Sequence, residues 1–215
     1  MELICETGLH CIVFNAEFIY VVNGKNKAIR METCSQGWKT ELELPDGEYY
    51  YKFILNNGIR MNDPNAYSYA VGLNDEVWSV LKVVNGKNQK GNKIIPKLNK
   101  FIINNGKKLL YPRNRACYVS FDLNSVCGVH SITALWYQPD GSLYHIEETT
   151  IETPINLLYT LKETFWVDFE KDTHPFDFGT WMVEIYVDGV KSVREFFNVF
   201  SDEKIRNTRN YSFSL

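Results

Sequence analysis

The chain contains no run of the roughly 18 to 20 uninterrupted apolar residues that a membrane-spanning helix needs. Its opening, MELICETGLH, pairs an acidic flank with no long apolar stretch, so a soluble protein without a secretion signal is expected. Cysteine is scarce: Cys5, Cys11, Cys34, Cys117 and Cys127 are an odd, irregularly spaced set. A 215-residue chain can bury a core without covalent staples, and the expectation is reduced thiols in a cytoplasm. The catalytic signatures G-x-S-x-G and H-E-x-x-H, the phosphate loop and the dinucleotide fingerprint are all missing, which points to a non-catalytic protein that needs no cofactor. There is no low-complexity tract and no short solenoid repeat.

Acidic residues are missing from positions 77–121, which hold ten Lys or Arg. The other 13 cations face all 26 acids, so the rest of the chain carries −13 although the whole carries −3. The basic stretch begins VVNGKNQKGNKIIPKLNK, where Asn, Gly and Lys replace alternating apolar residues, as in a linker. It is read as residues 87–99, with the boundary near Lys90, separating a domain at 1–86 from one at 100–201 and a polar tail at 202–215. Lys87, Lys90, Lys93, Lys97, Lys107 and Lys108 are candidates for gripping a polyanion, because each neutralised phosphate releases counterions. No aromatic residue interleaves these lysines before Phe101, so a solvated linker is the favoured reading over a nucleic-acid site.

What is present argues for strands. Aromatic residues make up 14% of the chain, and such side chains suit a pleated, half-buried surface. Turn signals recur at strand spacing: Asn23-Gly24, Asp46-Gly47, Asn57-Gly58, Asn85-Gly86, Asn105-Gly106, Asp140-Gly141 and Asp188-Gly189. Between them apolar residues alternate, as at Tyr49, Tyr51, Phe53 and Leu55, or Trp181, Val183, Ile185 and Val187. Period two sends the first set to a core and turns Tyr50, Lys52 and Ile54 outward. The expected fold is all-β, with two antiparallel β-sandwich domains. Only segment 155–163, INLLYTLKE, lets a helix compete, and strand or turn is preferred there.

Residues 37–64 read GWKTELELPDGEYYYKFILNNGIRMNDP. Trp38, the run Leu42-Glu43-Leu44-Pro45 before a turn at Gly47, the strand Glu48 to Phe53 and the pair Asp63-Pro64 give this stretch its character. It resembles the family 48 carbohydrate-binding module, the glycogen-binding β-sandwich of the AMP-activated kinase β subunit, over about residues 8–84. The resemblance implies an inward Trp38 and an α-glucan site of two stacking rings, a Lys and an Asn. Lys52 stands at the family's binding lysine. The two ring positions fall near Val21, with Tyr20 beside it, and at Arg60; the asparagine falls at about Asp75, with Asn74 adjacent. The platform is therefore largely dismantled, and the candidate glucan face comprises Lys52, Tyr20, Tyr50, Arg60, Tyr67 and Asn74.

The second half resembles an early-set immunoglobulin-like accessory domain, with Ala116 to Leu123 as an early strand and Gly179 to Val199 as a closing hairpin; the likeness implies no activity. Asp168, Glu170, Asp172 and His174 alternate and could project oxygen and imidazole ligands from one strand face. Any exposed strand alternates in this way, and no ion loop accompanies them. Cys127 and His130 have C-x-x-H spacing but no second pair to complete four ligands, so a buried cysteine and an unrelated histidine are expected. Trp78, Trp136, Trp166 and Trp181 could include an exposed stacking pair, although most strand aromatics are core. The expectation is a binding protein: an adaptor for a protein partner or a copy of itself, with α-glucan as the alternative ligand and no membrane partner.

Overall fold

The structure, a computed structural model, describes residues 2–6, 13–72, 76–91, 95–106, 109–110, 116–169 and 176–200. In chain order its strands are β1 (Glu2–Glu6), β2 (Ala16–Val22), β3 (Lys25–Arg30), β4 (Glu32–Cys34), β5 (Gly37–Glu41), β6 (Gly47–Leu55), β7 (Ile59–Met61), β8 (Ser68–Val71) and β9 (Val77–Val84). There follow β10 (Lys87–Asn88), β11 (Lys97–Ile103), β12 (Leu109–Leu110), β13 (Ala116–Val126), β14 (Gly128–Tyr137), β15 (Leu143–Thr153), β16 (Tyr159–Asp168), β17 (Gly179–Val187) and β18 (Val190–Val199). Among the described residues a 3-10 turn, Asn104–Gly106, interrupts them. The fold is an all-β sandwich, as the turn spacing and alternation predict.

Four sheets form. Sheet I has the order β1-β5-β4, and sheet II β10-β9-β6-β2-β3, with β7 beside β6 and β8 beside β9. Sheet III is β11-β13-β16, and sheet IV β12-β18-β17-β14-β15. The long ladders are antiparallel; the two-residue pairing of β12 with β18 is parallel. Tight connections use residues that tolerate positive φ: Asn23-Gly24, Asn85-Gly86 and Asp188-Gly189 each place both members there. The segment after β15 is turn through Leu157 and strand from Tyr159.

One core gathers Phe18, Met31, Tyr51, Phe53 and Leu55 with Leu3 and Cys5 of sheet I. A second lies between sheets III and IV, built from Phe121, Leu123, Phe165, Trp136, Trp181, Ile185 and Phe197. Sheet IV is covered on both faces. Residues 130–137 of β14 and 181–187 of β17 are buried without interruption, the pattern of strands sandwiched between two layers. Ile132, Ala134, Trp136, Trp181, Val183, Ile185 and Val187 serve the second core, while Leu135, Tyr137, Met182 and Tyr186 join the first. Burying a large apolar side chain stabilises by roughly 1.5–3 kcal/mol. Those four contacts therefore rival the net stability of a domain, about 5–15 kcal/mol.

The segment 87–99, expected as linker, is strand at both ends. Lys87 and Asn88 pair with Val84 and Val83, Gln89 N–H donates to the Lys82 carbonyl at 2.8 Å, and Lys97 to Asn99 pair with Asn124 to Asp122. The tail at 202–215 lies outside the described residues.

Candidate functional site

On β6 the expected alternation holds, with Tyr51, Phe53 and Leu55 in the first core. The outward reading of Lys52 needs correction: its side chain is 0% exposed. Its Nζ lies 2.7 and 3.0 Å from the two carboxylate oxygens of Glu148 on β15, and 3.0 Å from Glu76 Oε1. The strand does turn Lys52 away from the first core, but the second half of the chain covers that face. Glu148 also accepts from Ser131 Oγ at 2.7 Å. A buried ammonium persists only when paired, and here two carboxylates satisfy it.

The remaining outer face of sheet II holds a cleft of about 380 Å³ lined by Val21, Asn26, Tyr50, Arg60, Glu76 and Trp78, with Gly24 and Gly72 at its edge. Tyr50 is 40% exposed and forms a wall. Trp78 is buried, and the Arg60 guanidinium lies 5.5 Å from its ring centroid, in cation–π range. Arg60 Nη2 donates to Glu76 Oε2 at 2.9 Å, and Nε makes an ionic contact with Oε1 at 2.7 Å without hydrogen-bond geometry. Lys52 and Arg60 thus balance Glu76 and Glu148. The cleft offers an aromatic wall and hydrogen-bonding groups with no net charge from these four residues, a surface for stacking and orienting a polar ligand.

The candidate glucan residues separate. Tyr50 and Arg60 meet in the cleft. Tyr20 is a core residue, its ring 5.4 Å from Phe18; period two gives the cleft Val21 instead, which corrects the Tyr20 assignment. Tyr67 stands apart from the cleft lining beneath Lys82, whose Nζ lies 4.9 Å from the ring centroid. Hydrogen bonding to Glu48, then to Tyr67, raises the Lys82 ammonium above its usual range. Asn74 lies outside the described residues. Sequence reasoning named Trp78 only among four tryptophans that could supply a stacking pair and did not place it in this cleft, and it missed Glu76; both fall where β9 begins and its alternation was not yet readable. It also missed Glu148, 96 positions from Lys52, for which no local signal exists.

Asp63 of the Asp63-Pro64 pair is a structural anchor. Its carboxylate accepts from Tyr51 Oη at 2.7 Å and from Asn65 N–H at 2.7 Å, and its own N–H donates to Ser79 Oγ. Burial first, then this carboxylate, pushes the Tyr51 phenol well up. Tyr69 Oη lies 2.9 Å from the Asp63 carbonyl and 3.2 Å from that of Asp188, bridging the two halves. The C-x-x-H pair is a local brace: His130 Nε2 sits 2.9 Å from the Cys127 carbonyl, and Nδ1 lies 2.7 Å from Asp188 Oδ2. His130 is buried, and Cys127 is partly exposed.

Among the candidate metal ligands Asp168 ends β16, whereas Glu170, Asp172 and His174 lie outside the described residues. Among the described residues no group of three or more His, Cys, Asp or Glu could hold a metal ion. Of the candidate polyanion lysines, Lys87, Lys90 and Lys97 are exposed; Lys93, Lys107 and Lys108 fall outside the described residues. Two other cations of the basic stretch are engaged, Lys82 with Glu48 at 3.3 Å and Lys100 with Asp122 at 3.0 Å. No described helix is long and apolar enough to cross a membrane.

No family model and no curated protein sequence matches the chain. Among solved structures, the Pseudomonas fluorescens alkylpurine DNA glycosylase AlkC, bound to DNA containing an abasic site analog, is similar over 48% of this chain at 11% identity. The TM-score is 0.33, and the match spans 30% of the glycosylase. A likeness this slight carries no argument about function.

Proposed function

We propose that this is a non-catalytic binding protein of the cytoplasm, an adaptor that uses an immunoglobulin-like, carbohydrate-module-like scaffold to hold a protein partner. The observation that carries the reading is the turn between β15 and β16, where Ile155, Leu157 and Leu158 are 87%, 58% and 62% exposed. Three large aliphatic side chains within four residues form the kind of apolar patch that a partner covers. The described cysteines are free thiols, which suits a reducing compartment. The test is capture of partners from native lysate by wild type, by an Ile155→Ser/Leu158→Ser variant and by Phe14→Ser as an exposed-apolar control, with sedimentation of each to detect self-association. A partner, or a dimer, lost only in the double variant supports the adaptor. Binding unchanged by it removes this surface from consideration.

A second reading, α-glucan binding, is favoured by one observation: the Tyr50–Arg60–Trp78 cleft lies on the sheet face that the module resemblance assigns to sugar. The appropriate probes are Tyr50→Ala and Arg60→Ala, because Lys52→Ala would break a buried ion pair. Retention on glycogen lost in Tyr50→Ala, with unchanged thermal stability, supports this reading; absence of retention by wild type ends it.

A further inference from the structure

A second cavity lies between the halves. Phe53, Leu55, Met61 and Asn62 contribute from the N-terminal side, and Val190 and Lys191 of β18 from the other, around about 210 Å³ of space. It is a pocket partly open to solvent rather than a sealed void. Polar struts hold its walls apart. Tyr69 Oη bridges the Asp63 and Asp188 carbonyls. The adjoining turn sits against the first half so closely that a Cβ at Gly189 would overlap the Asn62 carbonyl. With both sides braced, the apolar walls cannot collapse inward to fill the gap.

We propose that this cavity is a binding site for a small, ring-sized apolar acid, a monocyclic aromatic carboxylate. An apolar cavity of about 150 Å³ is enough for benzene, so 210 Å³ accommodates one ring and a short head group and excludes an oligosaccharide. The walls set the apolar body and Lys191 sets the head. Lys191 lines the cavity, and its ammonium lies 3.6 Å from Glu184, a carboxylate that Arg194 already holds at 2.6 and 2.7 Å. A ligand carboxylate would join this cluster on its cationic side, beside apolar walls that strengthen the attraction. Junctions between domains are a common place for such sites.

The chain has four methionines, Met1, Met31, Met61 and Met182, and of these Met61 lines the cavity. Full-length protein labelled with 13C at the methionine methyls is titrated with benzoate and with benzyl alcohol, for wild type and Lys191→Gln. The expected result is a saturable shift of the Met61 signal with Met31 unmoved, benzoate binding about tenfold tighter than benzyl alcohol, and that preference lost in Lys191→Gln. A Met61 signal indifferent to millimolar benzoate, or one that moves together with Met31, overturns the site. Equal binding of the two probes, unaltered by Lys191→Gln, overturns the assignment of an acid.

Discussion

Lys52→Met is the perturbation that most directly tests how the two halves are joined. It deletes a fully buried ammonium held at 2.7 to 3.0 Å by Glu148 and Glu76. Removing one partner of a buried pair typically costs about 3–5 kcal/mol, because the other charge is stranded. The stranding here is incomplete. Glu76 and Glu148 are 22% and 20% exposed; Glu76 keeps Arg60, and Glu148 keeps Ser131 Oγ. The expected loss is therefore about 2–3 kcal/mol, below the full range. Glu148→Gln leaves Lys52 with Glu76 and should cost about 1–2 kcal/mol, and the double variant should show a coupling of about 1–2 kcal/mol. Urea is the right denaturant, since guanidinium chloride would screen charges. Unfolding followed by tryptophan fluorescence and by far-ultraviolet circular dichroism should give coincident transitions, because Leu135, Tyr137, Met182 and Tyr186 belong to the first core. A Lys52→Met loss under about 0.5 kcal/mol, or two separated transitions of which one moves, would refute the reasoning.

Three further outcomes are expected. Gly189→Ala should destabilise more than Gly86→Ala: both residues have positive φ, +79° and +67°, which costs an L-residue about 1–2 kcal/mol, but only at Gly189 does the new methyl meet backbone, that of Asn62. Equal losses in urea would mean the turn is not docked as described. Burial pushes the Cys117 thiol from 9.0 to about 12, with the Asn104 amide pulling weakly the other way. The protonated form is thus favoured by folding, so this contribution is complete below pH 9 and declines by about 1.4 kcal/mol per unit as pH rises toward 12. Cys117→Val should flatten the alkaline slope measured by urea unfolding, leaving the part due to Tyr51, Tyr69 and Tyr186, whose phenols are also raised by burial; an unchanged slope rules the thiol out. Trp166 is 54% exposed whereas Trp136 and Trp181 are 0% and Trp78 is 6%, so Trp166→Phe should remove the largest single share of acrylamide quenching, leaving that of the partly exposed Trp38, while altering stability by less than about 0.5 kcal/mol.

Local geometry was legible because it depends on neighbours in sequence. Period two placed Tyr51, Phe53 and Leu55 in one core and Trp181, Val183, Ile185 and Val187 in the other. The Asn-Gly and Asp-Gly pairs marked turns because few other residues accept positive φ. Alternation cannot tell whether the second face of a strand meets water. Lys52, Ser131, Thr133 and Glu184 look like solvent-facing residues of half-buried strands, yet all four are buried. Their cover comes from the other half of the chain, and the clue was present only in β14 and β17, where apolar residues occupy both faces. The candidate site was half readable: Tyr50 and Arg60 were named through the module resemblance over one strand and its hairpin, while placing Trp78 and Glu76 required the register of β9.

Lys52 also shows what a likeness of strands can and cannot transmit. The module likeness expected from residues 37–64 implies a sugar-reading Lys52; in the fold Lys52 is a strut between layers. Strand alternation turns it away from the first core, and its chemistry is set by Glu148, which arrives from the second half. What sugar could still meet is Tyr50 and Arg60, and Arg60 is committed to Glu76 and to the Trp78 ring. A glucan entering the cleft must share those contacts, whereas a partner covering Ile155, Leu157 and Leu158 removes apolar surface that the described fold leaves more than half exposed. That asymmetry in desolvation cost ranks the adaptor above the sugar reading: buried apolar area is gained outright, while displaced polar contacts have to be remade before binding becomes favourable.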